Sequence, residues 1–207
     1  MTYDIILAGV GGQGVLSLAA IVAKAAMLDG FFVRQSEVHG MAQRGGAVLA
    51  HLRVSDEPIA GDLVPAGGAD MVLAMEPLES LRYLSYLKPE GIVVTAAEPF
   101  VNIPDYPEIE KVLGAIRALP RSLLVDAAGI AKEAGSPRAV NMALAGAASL
   151  LLPVRLASIE RGIDELFGKK DPRAAEANRR AIELARATSS REASAGAVGD
   201  AAEGGRR

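Results

Sequence analysis

Short apolar runs alternate along this chain with helix-length stretches, and that alternation restricts the fold more than any other feature. Ile5 to Ala8 reads as a strand, Val15 to Leu28 as a helix stopped at Gly30, and Phe31 to Gln35 as a second strand, which makes a β-α-β unit. Val48 to Val54 has period two, with Val48, Ala50, Leu52 and Val54 on one face and Leu49, His51 and Arg53 on the other, the pattern of a half-exposed strand. Met71 to Met75, Gly91 to Ala96 and Ser122 to Asp126 continue the strands, with helices expected over 77–87 and 108–118 between them. Strands separated by helices of this length imply a Rossmann-like α/β fold: a mainly parallel sheet with helices on both faces. Further helices are expected C-terminal to it, over 127–134, 139–152, 158–167 and 172–186.

At 207 residues and 50% apolar content, the chain is long enough to bury one substantial core. One domain over residues 1–187 is expected. Residues 188–207 are Ala, Gly, Ser and charged groups, too poor in large side chains to offset the entropy of ordering, and are expected to form a disordered tail. A formal net charge of -3, with no block of Lys or Arg, leaves no electrostatic footprint for nucleic acid or an anionic membrane. The apolar stretch from Ala139 to Leu152 contains Asn141, Gly146 and Ser149 and stops at Pro153, short of the roughly 20 residues a span requires. Met1-Thr2-Tyr3-Asp4 carries no basic region ahead of Ile5-Ile6-Leu7, so a cytoplasmic location is expected.

The chain has no cysteine, which removes disulfides, thiolate nucleophiles and thiolate ligation of an iron–sulfur cluster from its own chemistry. Its two histidines, His39 and His51, do not make a His-rich metal site, and no metal site is expected. His51, on the alternating strand, reads as a surface or packing residue.

Two segments carry chemistry. Gly9-Val10-Gly11-Gly12-Gln13-Gly14 satisfies G-x-G-x-x-G between a strand and a helix, with Gly9, Gly11 and Gly14 at the pattern positions. Glycines there permit a tight turn and close approach of phosphate to a helix N-terminus. They equally permit close strand-to-helix packing with no nucleotide bound. The acidic residue that a NAD site places at the end of the second strand is missing: Gln35 and Ser36 stand near its position, Arg34 would suit a 2′-phosphate, and Glu37 comes late.

The second segment, Ser36 to Val48, brings Glu37, His39, Gln43 and Arg44 to the carboxyl end of the second strand, where open α/β sheets bind ligands. Arg44 is suited to fork two hydrogen bonds onto a carboxylate or phosphate, His39 to move a proton, and Glu37 to orient it. An internal Glu37–Arg44 ion pair, or a contact with another subunit, accounts for the same residues. Asp70, Glu76 and Glu79 are explained by the helix dipole, and Asp126 and Asn141 by capping or a buried hydrogen bond.

Gly9 to Gly14, then Glu37-Val38-His39-Gly40-Met41-Ala42-Gln43-Arg44-Gly45-Gly46, then Ala69-Asp70 and Glu76-Pro77-Leu78-Glu79-Ser80-Leu81-Arg82, resemble the gamma-type domain of 2-oxoacid:ferredoxin oxidoreductases over about residues 1–186. The likeness is greatest to the small subunits of the indolepyruvate branch. The resemblance implies a subunit that is inactive alone. In such an assembly a large subunit holds thiamine diphosphate, Mg and 4Fe-4S clusters, oxidises aryl pyruvates to acyl-CoA with coenzyme A as co-substrate, and passes electrons to ferredoxin. It implies an α2β2 heterotetramer, with Glu37, His39, Gln43 and Arg44 facing the large subunit or its active centre. The alternatives are a gamma subunit serving pyruvate, 2-oxoglutarate or branched-chain oxoacids, a stand-alone NAD(P)-binding Rossmann protein, and a non-catalytic scaffold.

Overall fold

A computed structural model of the chain describes residues 1–37, 45–168 and 172–203. The elements follow the expected alternation: β1 (Thr2–Val10), α1 (Val15–Leu28), β2 (Phe32–Glu37), β3 (Ala47–Ser55), β4 (Ala69–Ala74), α2 (Pro77–Arg82), β5 (Leu87–Ala96), α3 (Ile109–Arg117), β6 (Ser122–Val125), α4 (Ala127–Glu133), α5 (Val140–Ala148), α6 (Leu156–Ile163) and α7 (Pro172–Glu203). A 3-10 turn, Leu84–Tyr86, shortens the helix expected over 77–87.

The six strands form one mostly parallel sheet in the order β2-β3-β1-β4-β5-β6. β1 pairs in parallel with β4, β4 with β5 and β5 with β6, while β3 runs antiparallel to both β1 and β2. The α/β class of the sequence reading therefore holds, with one topological change. β2 does not lie beside β1, because β3 is inserted between them, so the expected β-α-β unit spans an extra strand.

Helices cover both faces. Ile5 and Leu7 of β1 point into a large core with α1, α4, α5, α6 and α7, while Ile6 points the other way, into a smaller cluster with Val64, Val72, Tyr83 and Tyr86. Because each face is covered, Ile5, Ile6, Leu7 and Ala8 are all fully buried and read as a continuous apolar run. The same cover corrects the reading of β3 as half-exposed. Its alternation is real, but residues after the strand fold over its second face. His51 is 4% exposed, accepts a 3.1 Å hydrogen bond at Nδ1 from Val64 N–H, and meets Tyr86 edge to face at 5.5 Å. It is a packing histidine, and burial lowers its pKa. Arg53, beside it, is neutralised by both oxygens of Asp4, at 2.9 and 3.1 Å.

Helix α1 ends as its sequence indicates. Gly30 takes φ +87°, which a side chain resists, and Phe31 N–H returns to the Ala26 carbonyl at 3.0 Å. Asp29, one residue earlier, accepts from Arg155 N, Arg155 Nε and Ser158 Oγ, which ties the end of α1 to α6.

Helix α7 continues to Glu203, past Arg186, where the sequence reading gives way to a disordered tail. The run beyond Arg186 lacks large apolar groups but is rich in alanine, which a helix accommodates with minimal loss of entropy. Ser189 is 3% exposed, so packing extends at least that far.

Candidate functional site

The carboxyl ends of β1, β4, β5 and β6 converge on one edge of the sheet, and the loops leaving them interlock. The glycine turn after β1 needs its glycines for three different reasons. Gly12 and Gly14 adopt φ +101° and +90°. Gly9 has no such angle, but a Cβ there would lie 2.7 Å from Val15 Cγ2 and 2.9 Å from Met75 Cβ, so it is the seat on which α1 meets β4. Gly11 is held by its backbone: its N–H donates to the Gly46 carbonyl at 2.8 Å, and its carbonyl accepts from Gly45 N–H at 3.3 Å. Gln13 closes the turn from inside, accepting from Val10 N–H at 2.7 Å and donating to the Met75 carbonyl at 3.3 Å.

These bonds bear on the two readings of the motif. A dinucleotide cradle uses unpaired amides of the turn and an acid on the neighbouring strand. Here the Gly11 amide is already engaged, and the insertion of β3 moves the end of β2 a further strand spacing, about 4.8 Å, away from β1. Both features favour packing over nucleotide binding at this turn.

The sequence-predicted loop residues His39, Gln43 and Arg44 lie outside the described residues. Glu37 is the last residue of β2, and its Oε1 accepts from Gln35 Nε2 at 2.5 Å. The loop's far end, Gly45–Gly46, is the segment bonded to Gly11, so the two motifs singled out in the sequence adjoin at this edge.

Two further groups do more than the local roles their sequence positions indicate. Glu76, only 1% exposed, caps α2 by accepting from Glu79 N–H at 2.8 Å with Oε2, while its Oε1 accepts from Phe100 N–H at 3.3 Å and from the Tyr106 hydroxyl. One carboxylate thereby anchors the whole loop after β5. That loop also reaches the glycine motifs, since Asn102 Nδ2 donates to the Gly45 carbonyl at 2.8 Å, and it leaves Phe100 and Val101 exposed. An acid before Pro77 is recognisable as a helix cap, but the loop bonds join residues more than twenty positions apart.

The second group is a carboxyl pair at the ends of β5 and β6. Asp126 caps α4 by accepting from Gly129 N–H at 2.8 Å, as its position in the sequence suggested. Glu98 sits beside it with Oε2 shut off from solvent and no hydrogen-bond partner among the described residues. Burial first, and then the hydrogen bond to Asp126, push the Glu98 carboxyl up to about 7, while the bond from Glu98 and the Gly129 amide hold Asp126 low. A neutral Glu98 carboxyl thus stands beside an ionised Asp126 at pH values below about 7. Folded Glu98 keeps its proton where the unfolded chain, at 4.5, has lost it, so its contribution to stability is full below pH 4.5 and is lost as pH rises to about 7. Asp126 contributes with the opposite sign, losing its share as pH falls below 3.8. Glu98→Gln, which mimics the protonated acid, is expected to flatten the decline in urea midpoint between pH 4.5 and 7. An unchanged slope would show that Glu98 is not the group responsible.

Among the described residues no cluster of His, Asp and Glu is large enough to hold a metal ion, and no helix is long and apolar enough to cross a membrane.

Known proteins place this architecture. The profile of the pyruvate ferredoxin/flavodoxin oxidoreductase family matches residues 4–188. The indolepyruvate oxidoreductase subunit IorB of Archaeoglobus fulgidus is 37% identical over 179 residues, 82% of this chain and 88% of that protein. The common gamma subunit of the pyruvate/ketoisovalerate oxidoreductases of Pyrococcus furiosus is 33% identical over 175 residues, 81% of this chain and 90% of its own. The crystal structure of a keto/oxoacid ferredoxin oxidoreductase gamma subunit from Geobacter sulfurreducens superposes with a TM-score of 0.68 at 23% identity, covering 90% of this chain and 98% of that one, which establishes the fold.

Proposed function

The chain belongs to the pyruvate ferredoxin/flavodoxin oxidoreductase family, and from that premise we propose that it is the small subunit of an indolepyruvate-type 2-oxoacid:ferredoxin oxidoreductase. The observation that carries this reading is the likeness to an indolepyruvate oxidoreductase subunit along 88% of that subunit's length, at higher identity than to the shared gamma subunit of the pyruvate and ketoisovalerate enzymes. The complete enzyme would convert an aryl pyruvate and coenzyme A to aryl-acetyl-CoA and carbon dioxide, passing the released electron pair to ferredoxin. The partner is a large subunit, in an α2β2 assembly in the cytoplasm.

The residues of this chain do not fit the redox and thiamine groups of such an enzyme. It has no thiolate for a 4Fe-4S cluster, and its described residues offer no carboxylate and histidine group for Mg. Those cofactors are assigned to the large subunit. Its own contribution is a shaped edge: the turn of Gly9, Gly11, Gly12 and Gly14, the bonded Gly45–Gly46 segment, and the loop that Glu76 anchors. The intervening Glu37, His39, Gln43 and Arg44 are proposed to face the large subunit or its active centre. A gamma subunit serving pyruvate or branched-chain oxoacids is the second reading, favoured by the 33% match.

The test is to express the chain with and without the adjoining large subunit and measure CoA-dependent reduction of a low-potential dye with indolepyruvate, phenylpyruvate, pyruvate and 2-oxoglutarate. Turnover is expected only in the complex and fastest with the aryl pyruvates. Preference for pyruvate would move the assignment to the second reading, and no complex at all would remove both. In the same assay Arg44→Ala is expected to reduce turnover, and full activity with normal assembly would withdraw Arg44 from the interface.

A further inference from the structure

We propose that Asn102 is a positioning residue for the complex: its side-chain amide fixes Gly45, and Gly45 is one peptide bond from Arg44. The functional half of this role rests on the proposed function, which sets Arg44 toward the large subunit. The clamp itself is a property of the chain alone.

The clamp begins as a continuation of the sheet. β1 and β3 pair from Thr2 opposite Ser55 to Val10 opposite Ala47, and the next residues go on bonding. Gly11 N–H donates to the Gly46 carbonyl at 2.8 Å, and Gly45 N–H donates to the Gly11 carbonyl at 3.3 Å. At Gly45 the backbone takes φ +78°, which ends the extended run, and its carbonyl accepts from Asn102 Nδ2 at 2.8 Å. Gly45 is thereby held through both of its polar backbone groups, the N–H by the glycine turn and the carbonyl by the loop after β5. Holding both fixes the direction in which the chain joins Arg44, and a group set on a fixed backbone loses less freedom when it meets a partner.

Asn102 is placed in turn by a distant acid. Residues 97–108 join β5 to α3, at the upper end of loop length for a compact domain, and a loop of that length left free would fix nothing. Glu76 removes the freedom by bonding on either side of Asn102, at the Phe100 amide and at the Tyr106 hydroxyl. The buried carboxylate at the start of α2 therefore reaches Gly45 through Asn102. A bond that merely trimmed a surface loop would have no effect beyond that loop, and this separates the two roles experimentally.

Amide hydrogen exchange in the full-length chain reads the clamp. Losing one uncharged hydrogen bond shifts an opening equilibrium by roughly two- to tenfold. Asn102→Ala is accordingly expected to speed exchange at the Gly11 and Gly45 amides about fivefold, and to leave the Gly30 amide at the other end of α1 unchanged. Asn102→Asp keeps the shape but sets a carboxylate against the Gly45 carbonyl, so exchange should be faster still. Glu76→Ala should speed the same two amides, and adding Asn102→Ala to it should add little, because both act through one contact. In the co-expressed complex, Asn102→Ala is expected to lower turnover about fivefold or more with assembly intact, and to lower it no further once Arg44 is alanine. Unchanged exchange at Gly11 and Gly45 would overturn the clamp. Faster exchange with full turnover, or losses that add to those of Arg44→Ala, would overturn the positioning role and leave the proposed function standing. A parent complex without 2-oxoacid turnover would remove the proposed function and the positioning role together, while exchange still decides the clamp.

Discussion

Replacing Gly146 with alanine is expected to lower the unfolding free energy by about 3 kcal/mol, a fall in melting temperature on the order of 10 °C for a chain of this size. The added methyl would stand 2.5 Å from the Ile182 carbonyl oxygen and 2.7 Å from its Cα. Both are backbone atoms of α7 and no rotamer change moves them, so α5 and α7 must separate. The separation would open the large core, since Leu144, Ala145, Ala147 and Ala181 around the contact are all fully buried. Gly114→Ala provides the internal comparison. Gly114 also lies inside a helix, α3, but has nothing within 4 Å of a Cβ, so alanine there is expected to stabilise by about 0.5–1 kcal/mol through helix propensity alone. Equal melting temperatures for the two variants would refute the close-packing account.

Glu76→Ala is expected to cost a similar amount, about 3 kcal/mol, for a different reason. It removes the cap of α2, worth roughly 1 kcal/mol, and strands two further donors, the Phe100 amide and the Tyr106 hydroxyl, at about 1–3 kcal/mol for each that stays buried. The loop after β5 would lose its anchor while the sheet beneath it stays paired. Limited proteolysis near Phe100 should therefore accelerate more than cleavage elsewhere. Glu76→Gln supplies a spectroscopic readout. Burial and then the Glu76 charge raise the Tyr106 pKa, so removing that charge should bring phenol ionisation down. If Tyr106 titrates as before and proteolysis is unchanged, Glu76 is only a helix cap.

These two sites differ in how far the sequence disclosed them. Glu76 was legible as an acid ahead of Pro77 and Glu79, where a helix dipole accounts for it, because capping is a contact over three residues. Its larger role joins it to Tyr106, thirty positions later, and no local pattern encodes that. Gly146 and Gly114 look alike in the sequence, both glycines within helical stretches. Only the neighbour, the Ile182 backbone in one case and open space in the other, separates them.

The Phe31 to Gln35 run was recognised as a strand, but its place in the sheet was not. A β-α-β reading puts it beside β1, and the antiparallel β3 takes that position instead. Hydrophobic periodicity records which residues face a core and carries no information on which strand lies next to which. His51 illustrates the same limit. Alternation set its face correctly, whereas the segment that buries that face follows the strand and has no signature of its own.

The helix from Pro172 was found at its start, and its continuation to Glu203 departs from the composition argument. That argument weighed buried apolar area and gave no weight to alanine, whose backbone needs little help to stay helical.

The local order of strand and helix, the turn at Gly9 to Gly14, the cap at Asp126 and the family resemblance all follow from the sequence by itself, because each depends on residues within a few positions or on an unbroken motif. Tertiary structure alone decided the strand order, the seating of α5 on α7, the anchoring of the β5 loop by Glu76, and the burial that raises the Glu98 carboxyl beside Asp126. Each of those brings together groups distant in the chain, and whether such groups attract or clash depends on the separation the packed core imposes.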